Sequence, residues 1–238
     1  MDGFALTIAS AVLAYVALAY GVWRVRPAIA PQSPPSDERG LLALAACFWF
    51  FGHLGAFVPW AATSILAAHT VTAIVRAIGV GLILLCIAHP AAVGFQRPRP
   101  LWLPGWALGC FVLYLPILIL LSRLRSDVVD QDAVQQVQAA SDGLTQVALF
   151  VSLVLVTPLF EEVLFRGLLQ RAAIYETGPV AGVLLTSLVF MVVHPRGVWL
   201  DVFSLALLLG CLYHYTRNLW VPITIHVAHN ALAYTIYS

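Results

Sequence analysis

The sequence predicts an all-α fold: a polytopic bundle of about eight transmembrane helices. Hydrophobic residues make up 61% of the 238 positions, charged residues make up only 10%, and the mean hydropathy is +0.92. Soluble domains are typically about 25% charged, so this composition indicates a membrane protein. The apolar residues also fall into runs of about 20, which is the length that crosses a bilayer as a helix.

The eight predicted spans are separated by polar or proline-rich breaks. They lie near residues 3–23, 41–59, 70–88, 101–121, 145–170, 179–195, 199–216 and 219–237. The first run could be mistaken for a signal peptide, but it has no basic leading segment and is long enough to span, so we expect a retained helix. The longest polar connection, residues 122–146, shows at most a weak helical stripe. We expect two parts: N-terminal helices and loops over residues 1–144, and a functional core over residues 145–238.

The net charge bears on possible binding partners, and the distribution of Arg among the loops predicts the orientation in the membrane. A formal net charge of +1 gives no electrostatic reason to expect a nucleic-acid partner. With the N-terminus outside, seven Arg lie in the cytoplasmic connections and three lie in the opposite ones. Because cytoplasmic loops are enriched in Lys and Arg, eight spans predict that both termini are outside.

Two adjacent carboxylates, Glu161 and Glu162, interrupt the fifth apolar run. An ionisable side chain at this depth costs about 2.5–3.5 kcal/mol on insertion scales, and it normally faces the bundle interior or a water-filled cavity. Residues four apart share a helix face, so Glu162 faces Arg166, whereas Glu161 points about 100° away. We predict that Glu162 is a structural acid and Glu161 a reactive one, although the Glu162–Arg166 pair could equally serve only to hold helices together. Pro158 lacks a backbone donor, which predicts a kink or solvated notch near Val154.

Further polar residues lie in the last three predicted spans. His194 precedes Pro195 and is therefore expected near a helix end, with Phe190 on the same face. His226 and Asn230 are four apart, so an imidazole and a carboxamide point the same way and could stabilise an oxyanion. Asn side chains also join transmembrane helices, so this second interpretation stays open.

Three spaced motifs occur in order, each within an apolar run. They are Pro-x-x-Glu-Glu-x-x-x-Arg-Gly from Pro158, Phe-x-x-x-His from Phe190, and Leu-Trp-x-Pro-x-x-x-His-x-x-x-Asn from Leu219. Together they resemble the CPBP family, the CAAX-protease and bacteriocin-processing (Abi) intramembrane endopeptidases. The resemblance covers about residues 145–237, and residues 1–144 share only their apolar helical character.

The resemblance implies an enzyme and assigns roles to its residues. It implies a metal-free, glutamate-dependent endopeptidase in which Glu161 activates water and His194 orients or polarises it. His226 and Asn230 would stabilise the oxyanion. Glu162 and Arg166 would form the structural pair that positions the catalytic helix.

The resemblance also implies a setting for the reaction. The substrate would be a membrane-associated protein or peptide cleaved near its tail, and the lipid bilayer would be the other partner. The protein would be a multi-pass protein of the bacterial inner membrane. Phe190 would form a wall beside His194.

Other interpretations stay open. Glu161, His194 and His226 would make a plausible zinc set, but the sequence has no His-Glu-x-x-His pairing and Asn230 is a poor zinc ligand, so we expect no metal cofactor. A non-proteolytic immunity or scaffold protein would keep the fold without needing Glu161. A proton-relaying transporter would show two related halves, which the sequence lacks. Arg76, inside the third run, is expected to snorkel or to pair with an acid, with a substrate-carboxylate role as the alternative.

Overall fold

The computed structural model describes residues 64–86, 90–96, 102–124 and 132–238, and every regular element in these ranges is helical. We number the main helices α1 (Ile65–Cys86), α2 (Leu103–Leu124), α3 (Asp132–Ala139), α4 (Gly143–Thr177), α5 (Pro179–Val192), α6 (Trp199–Thr216) and α7 (Trp220–Tyr237). Short 3₁₀ turns, Pro90–Val93 and Arg196–Val198, follow α1 and precede α6. The predicted all-α class is thus confirmed for these residues.

Four helices in the described ranges are long and apolar enough to cross a membrane. They are Ile65–Leu84, Leu103–Arg123, Gly143–Thr177 and Arg196–Thr216, while Pro179–Val192 is apolar but shorter. The predicted spans 3–23 and 41–59 lie outside the described residues. The count of eight spans and the orientation of the termini therefore stay predictions.

Within the polar connection before α4, residues 132–139 form a helix, although the sequence shows at most a weak helical stripe there. This helix is α3, and its Val137 packs with Ala140 and with Leu149 of α4. Asp142 caps the start of α4, where its side chain accepts a hydrogen bond of 2.9 Å from the backbone N–H of Thr145. This part of the connection therefore packs against the start of α4.

Helix α4 runs through two π-helical segments, Val151–Val156 and Val163–Gln170. In the first, the N–H of Thr157 donates to the carbonyl of Ser152, five residues back. The next donor in this register would be Pro158, which has no N–H. The carbonyl left without a main-chain donor is therefore that of Leu153, one residue before the predicted Val154, because the prediction assumed α-helical spacing.

Close approaches lock α4 against α5 and α6. Gly178, at φ +83°, ends α4 and lets α5 turn back. A Cβ on Gly182 would lie 2.6 Å from the backbone N of Ile174, so only glycine lets the two helices approach this closely. One turn before Ile174, the side chain of Gln170 on α4 donates a hydrogen bond of 2.8 Å to the carbonyl of Gly210 on α6.

The segment after α1 fixes the turn between α6 and α7. The hydroxyl of Tyr213 donates to the carbonyl of Val93 at 3.0 Å, and the N–H of Leu219 donates to the carbonyl of Gly94 at 2.9 Å. These bonds hold the start of α7, and hence the depth of the polar residues on that helix.

Two apolar clusters build the described bundle. One joins α1, α4, α5 and α6 around Phe165, Leu168 and Tyr213. The other joins α2, α6 and α7 around Tyr114 and Leu209. Glu161 and Glu162 lie on α4 where it meets α1 and α7.

Candidate active site

A cavity of about 590 Å³ opens beside α4 and contains all four predicted catalytic side chains. Glu161, His194, His226 and Asn230 line it. Most of the remaining wall is apolar and comes from α2, α3 and α7, including Leu118, Ile119, Val134, Leu232 and Ile236. A small polar group thus faces a mainly hydrocarbon space, which is the usual character of a ligand site.

Glu162 is sealed away from this cavity. Its side chain is 0% exposed, and its Oε1 accepts hydrogen bonds from Arg166 Nη1 at 3.0 Å and from His226 Nδ1 at 2.7 Å. Arg166, 1% exposed, also donates to the carbonyl of Ala206 at 3.3 Å and lies over the ring of Phe190 at 4.6 Å. One buried carboxylate thus ties α4 to α7, while its guanidinium partner reaches α5 and α6.

Glu161 has a different environment, although it is the next residue. Its side chain is 15% exposed and lines the cavity. Its Oε2 lies 3.8 Å from Nε2 of His226, which is within ion-pair reach but beyond a hydrogen bond. The carboxylate oxygens of Glu161 are therefore placed where water or a substrate can reach them.

His226 stands between the two acids. Because a carboxylate only accepts hydrogen bonds, Nδ1 carries the proton that is donated to Glu162. Nε2 is then the nitrogen that faces Glu161 and the cavity. Nε2 donates to an oxyanion only when the ring carries both protons.

His194 follows the last turn of α5, beyond its final residue Val192. Its Nδ1 donates to the carbonyl of Phe190 at 2.7 Å, which leaves Nε2 for the cavity. The carbonyl of His194 accepts from Trp199 Nε1 at 2.9 Å, and its ring lies against Phe190 with centroids 4.7 Å apart. Phe190 thus supports His194 by both backbone and ring.

Asn230 lines the cavity and also joins two helices. Its Nδ2 donates to the carbonyl of Leu153 at 2.9 Å, the carbonyl that Pro158 leaves without a main-chain donor. An amide group has two N–H donors, so one remains for a reacting group. Helix joining and oxyanion binding are therefore compatible roles for this residue.

Sequence reasoning missed several contacts of the site. It did not find that Glu162 also binds His226, or that Arg76 of α1 donates to the hydroxyl of Thr157, one turn before Glu161. Asp201 and His229 also line the cavity, and the ring of His229 packs edge-on against Phe111 at 6.3 Å. Apart from the predicted site residues, only Arg76 could have been connected with the site from the sequence, because it is a charged residue inside an apolar run.

No group of three or more His, Cys, Asp or Glu side chains in the described part of the chain is arranged to hold a metal ion. In the zinc set considered from the sequence, both imidazoles offer only Nε2, because each Nδ1 is used within the protein. The expected metal-free mechanism stays a prediction.

Comparison with known proteins gives one finding. Residues 143–232 match the family model described as type II CAAX prenyl endopeptidase Rce1-like. The match confirms the resemblance to the CPBP and CAAX-protease family, and it spans all seven predicted site residues. No curated protein and no solved structure matches the chain.

Proposed function

We propose that this protein is an intramembrane endopeptidase that hydrolyses a peptide bond near the membrane-associated tail of a protein or peptide. One observation carries the proposal: the carboxylate of Glu161 lies on the wall of an apolar cavity beside an imidazole, while the adjacent Glu162 is fully buried and paired. The family match over residues 143–232 supports the same reaction class.

In the proposed reaction, Glu161 takes a proton from a water molecule as the water oxygen attacks the peptide carbonyl. The tetrahedral oxyanion is stabilised by the second N–H of Asn230 and by Nε2–H of His226, whose ring carries both protons at this stage. His194 Nε2 orients the water, and protonated Glu161 returns its proton to the leaving amine. Glu162 and Arg166 hold the helix and the His226 ring in place.

The shape of the cavity supports a membrane-buried substrate segment. Its apolar wall lies on α2, α3 and α7, so a hydrocarbon group or an apolar peptide tail would be desolvated there at low cost. The matching family model is described as a CAAX prenyl endopeptidase. We therefore propose a C-terminal, lipid-modified or otherwise membrane-inserted tail as the substrate, in the bacterial inner membrane.

The test is cleavage of an internally quenched peptide by the purified protein in lipid nanodiscs. The peptide ends in a prenylated CAAX sequence, and a membrane-inserted apolar tail peptide serves as the second substrate. We expect the wild type to cleave at least one of them and Glu161→Gln to lose about 10²–10⁴-fold in rate, which is the usual contribution of a general base. Glu176→Gln, on the exposed end of α4, is the matched control and should retain activity.

Cleavage at the wild-type rate by Glu161→Gln would overturn the mechanism. Absence of cleavage by the wild type on either peptide would favour the non-proteolytic alternative. Metal dependence is measured separately: full activity after stringent chelation, with no zinc on elemental analysis, is expected, and loss of activity that zinc restores would favour the metalloprotease alternative.

A further inference from the structure

Arg76 is a charged residue in the middle of α1, which is long and apolar enough to span a membrane. Ten residues or more separate it from either end of the helix, which is about 15 Å at 1.5 Å per residue. The side chain cannot bring its charge to the interface over that distance by snorkelling. An ionisable residue at this depth faces the bundle interior or a cavity and has a function by default.

The guanidinium of Arg76 faces the catalytic segment of α4. Its Nη1 donates to the hydroxyl of Thr157, and its Cζ lies 5.6 Å from the ring centre of Phe160. Thr157 and Glu161 are four residues apart within an α-helical part of α4, and both line the cavity. Arg76 is thus anchored one turn from the proposed general base.

The charge of Arg76 has no direct ionic partner in the described part of the chain. No carboxylate there lies within 4.0 Å of its guanidinium, and Glu161 lies one turn beyond its partner Thr157, close enough for an attractive Coulomb interaction. Glu162 already has Arg166 as its counter-ion. The cluster therefore contains two carboxylates and two guanidinium groups, of which Arg166 binds Glu162 directly and Arg76 is anchored one turn from Glu161.

The two pairs differ in a way that suits their roles. Arg166 donates directly to the acid it neutralises and so occupies one of its oxygens. Arg76 donates to Thr157 instead, so its charge acts on Glu161 from a distance. A base needs an ionised carboxylate whose oxygens remain open, and a displaced counter-ion provides the charge without blocking them.

We propose that Arg76 is the counter-ion and positioning residue of Glu161, held off the carboxylate by its hydrogen bond to Thr157. The inference rests on the proposed function of Glu161 as general base. It also decides against the alternative that Arg76 binds a carboxylate of the substrate, because the anchored guanidinium is not part of the cavity wall.

The kinetic test compares Arg76→Gln and Arg76→Lys in the nanodisc cleavage assay, with Arg123→Gln at the exposed end of α2 as the charge-matched control. We expect Arg76→Gln to lower kcat about 10- to 100-fold while KM changes by less than about twofold, because the group acts on the base and not on the substrate. Arg76→Lys should recover most of kcat, and Thr157→Val should lower kcat less than Arg76→Gln does.

Two kinetic results would overturn the inference. If KM rises with kcat unchanged, and only for a substrate with a free C-terminal carboxylate rather than an amide, Arg76 binds the substrate. If Arg76→Gln cleaves at the wild-type rate, or if Lys is no better than Gln, the charge at this position has no role in the reaction. Either result, with Glu161→Gln inactive, leaves the proposed function standing.

A second measurement needs no substrate. Thermal unfolding is followed for Arg76→Gln, Glu161→Gln and the double variant in the same nanodiscs. If the two charges attract, Arg76→Gln lowers Tm less when Glu161 is also replaced, because the acid that needed the counter-charge is gone. Strictly additive changes in Tm would contradict the pairing even if no cleavable substrate is found.

Discussion

Helix α4 has a closed side at Glu162 and a cavity side at Glu161, and the two carboxylates differ in burial and in hydrogen bonding. On the closed side, Glu162 is 0% exposed and binds both Arg166 and His226 at 3.0 Å or less. On the cavity side, Glu161 is 15% exposed, and its contact with the same imidazole is 3.8 Å. Adjacent residues of one type thus differ: Glu162 is buried with one oxygen bound by two donors, and Glu161 has an accessible carboxylate.

The difference shows how a membrane protein can keep an accessible acid, here the proposed general base, at low free-energy cost. A buried carboxylate without a partner is strongly unfavourable, and a carboxylate with a tight partner is chemically blocked. On the closed side, the hydrogen bonds of Glu162 fix the position of the His226 ring. The other edge of that ring faces Glu161 and the cavity. Substitutions at three positions along α4 and α7 test this difference, in order of decreasing expected effect.

The largest effect is expected on the closed side. Glu162→Gln leaves Arg166 buried without its counter-charge, and breaking a buried pair in this way costs about 3–5 kcal/mol. We expect a clear fall in Tm and in purified yield, together with loss of cleavage because His226 loses its anionic support. Glu161→Gln should lower yield and Tm much less, because Glu161 is partly exposed and Arg76 keeps its hydrogen bond to Thr157. Thermal unfolding in nanodiscs checks both.

A compensating variant sharpens the first prediction. Glu162→Gln combined with Arg166→Met removes both charges, so stability should recover in large part while cleavage stays low. A stable and fully active Glu162→Gln protein would refute the structural role of Glu162.

A smaller effect on stability is expected at Asn230, the residue of α7 that lines the cavity and binds α4. Asn230→Ala removes a donor proposed for the oxyanion, which costs about 10²–10³-fold in kcat, or about 2.7–4 kcal/mol. It also leaves the Leu153 carbonyl without its donor. In a Pro158→Ala background that carbonyl regains a main-chain donor, so the stability part of the Asn230→Ala defect should shrink while the kcat defect persists. Equal recovery of both would mean that Asn230 only joins helices.

The smallest effect concerns the carboxylate that caps α4, Asp142, which is exposed and precedes the spanning segment. Hydrogen bonds from Thr145 lower the pKa of Asp142 below its ordinary value of 3.8. The stabilisation is therefore fully present above that ordinary pKa and is lost as the pH falls through the lower folded pKa. We expect Asp142→Ala to lower Tm slightly at pH 6, and the difference from the wild type to vanish in strong acid.

Asp142→Asn is the control for this cap, because Asn caps a helix without titrating. Its Tm difference from Asp142→Ala should not depend on pH. A pH-independent gap between the wild type and Asp142→Ala would show that ionisation of Asp142 is irrelevant to the cap.

The sequence predicted the parts of this site that depend on local spacing. The pairing of Glu162 with Arg166 follows from residues four apart, and the place of His194 beyond a helix end follows from Pro195. The bond from Glu162 to His226 and the approach of Arg76 to Thr157 join residues more than 60 positions apart. Nothing in a helical period determines such pairings, because they depend on how helices pack.

The helical period located one feature only approximately. It predicted a notch near Val154, whereas α4 runs in π register there and the carbonyl that Asn230 binds is that of the neighbouring Leu153. Likewise, the weak stripe of the connection before α4 did not predict α3, whose side chains are stabilised by contacts with α4 rather than by helix propensity.

The π-helical stretch Val151–Val156 has a consequence for sequence length. Losing one residue from it could restore regular α-helical bonding, yet it would turn the preceding part of α4 by about 100° relative to Glu161. The Asp142 cap and the contact of Leu149 with α3 would then face the wrong neighbours. Insertions and deletions between residues 150 and 162 should therefore be far less tolerated than substitutions. Each would change the direction in which Glu161 points relative to the start of α4.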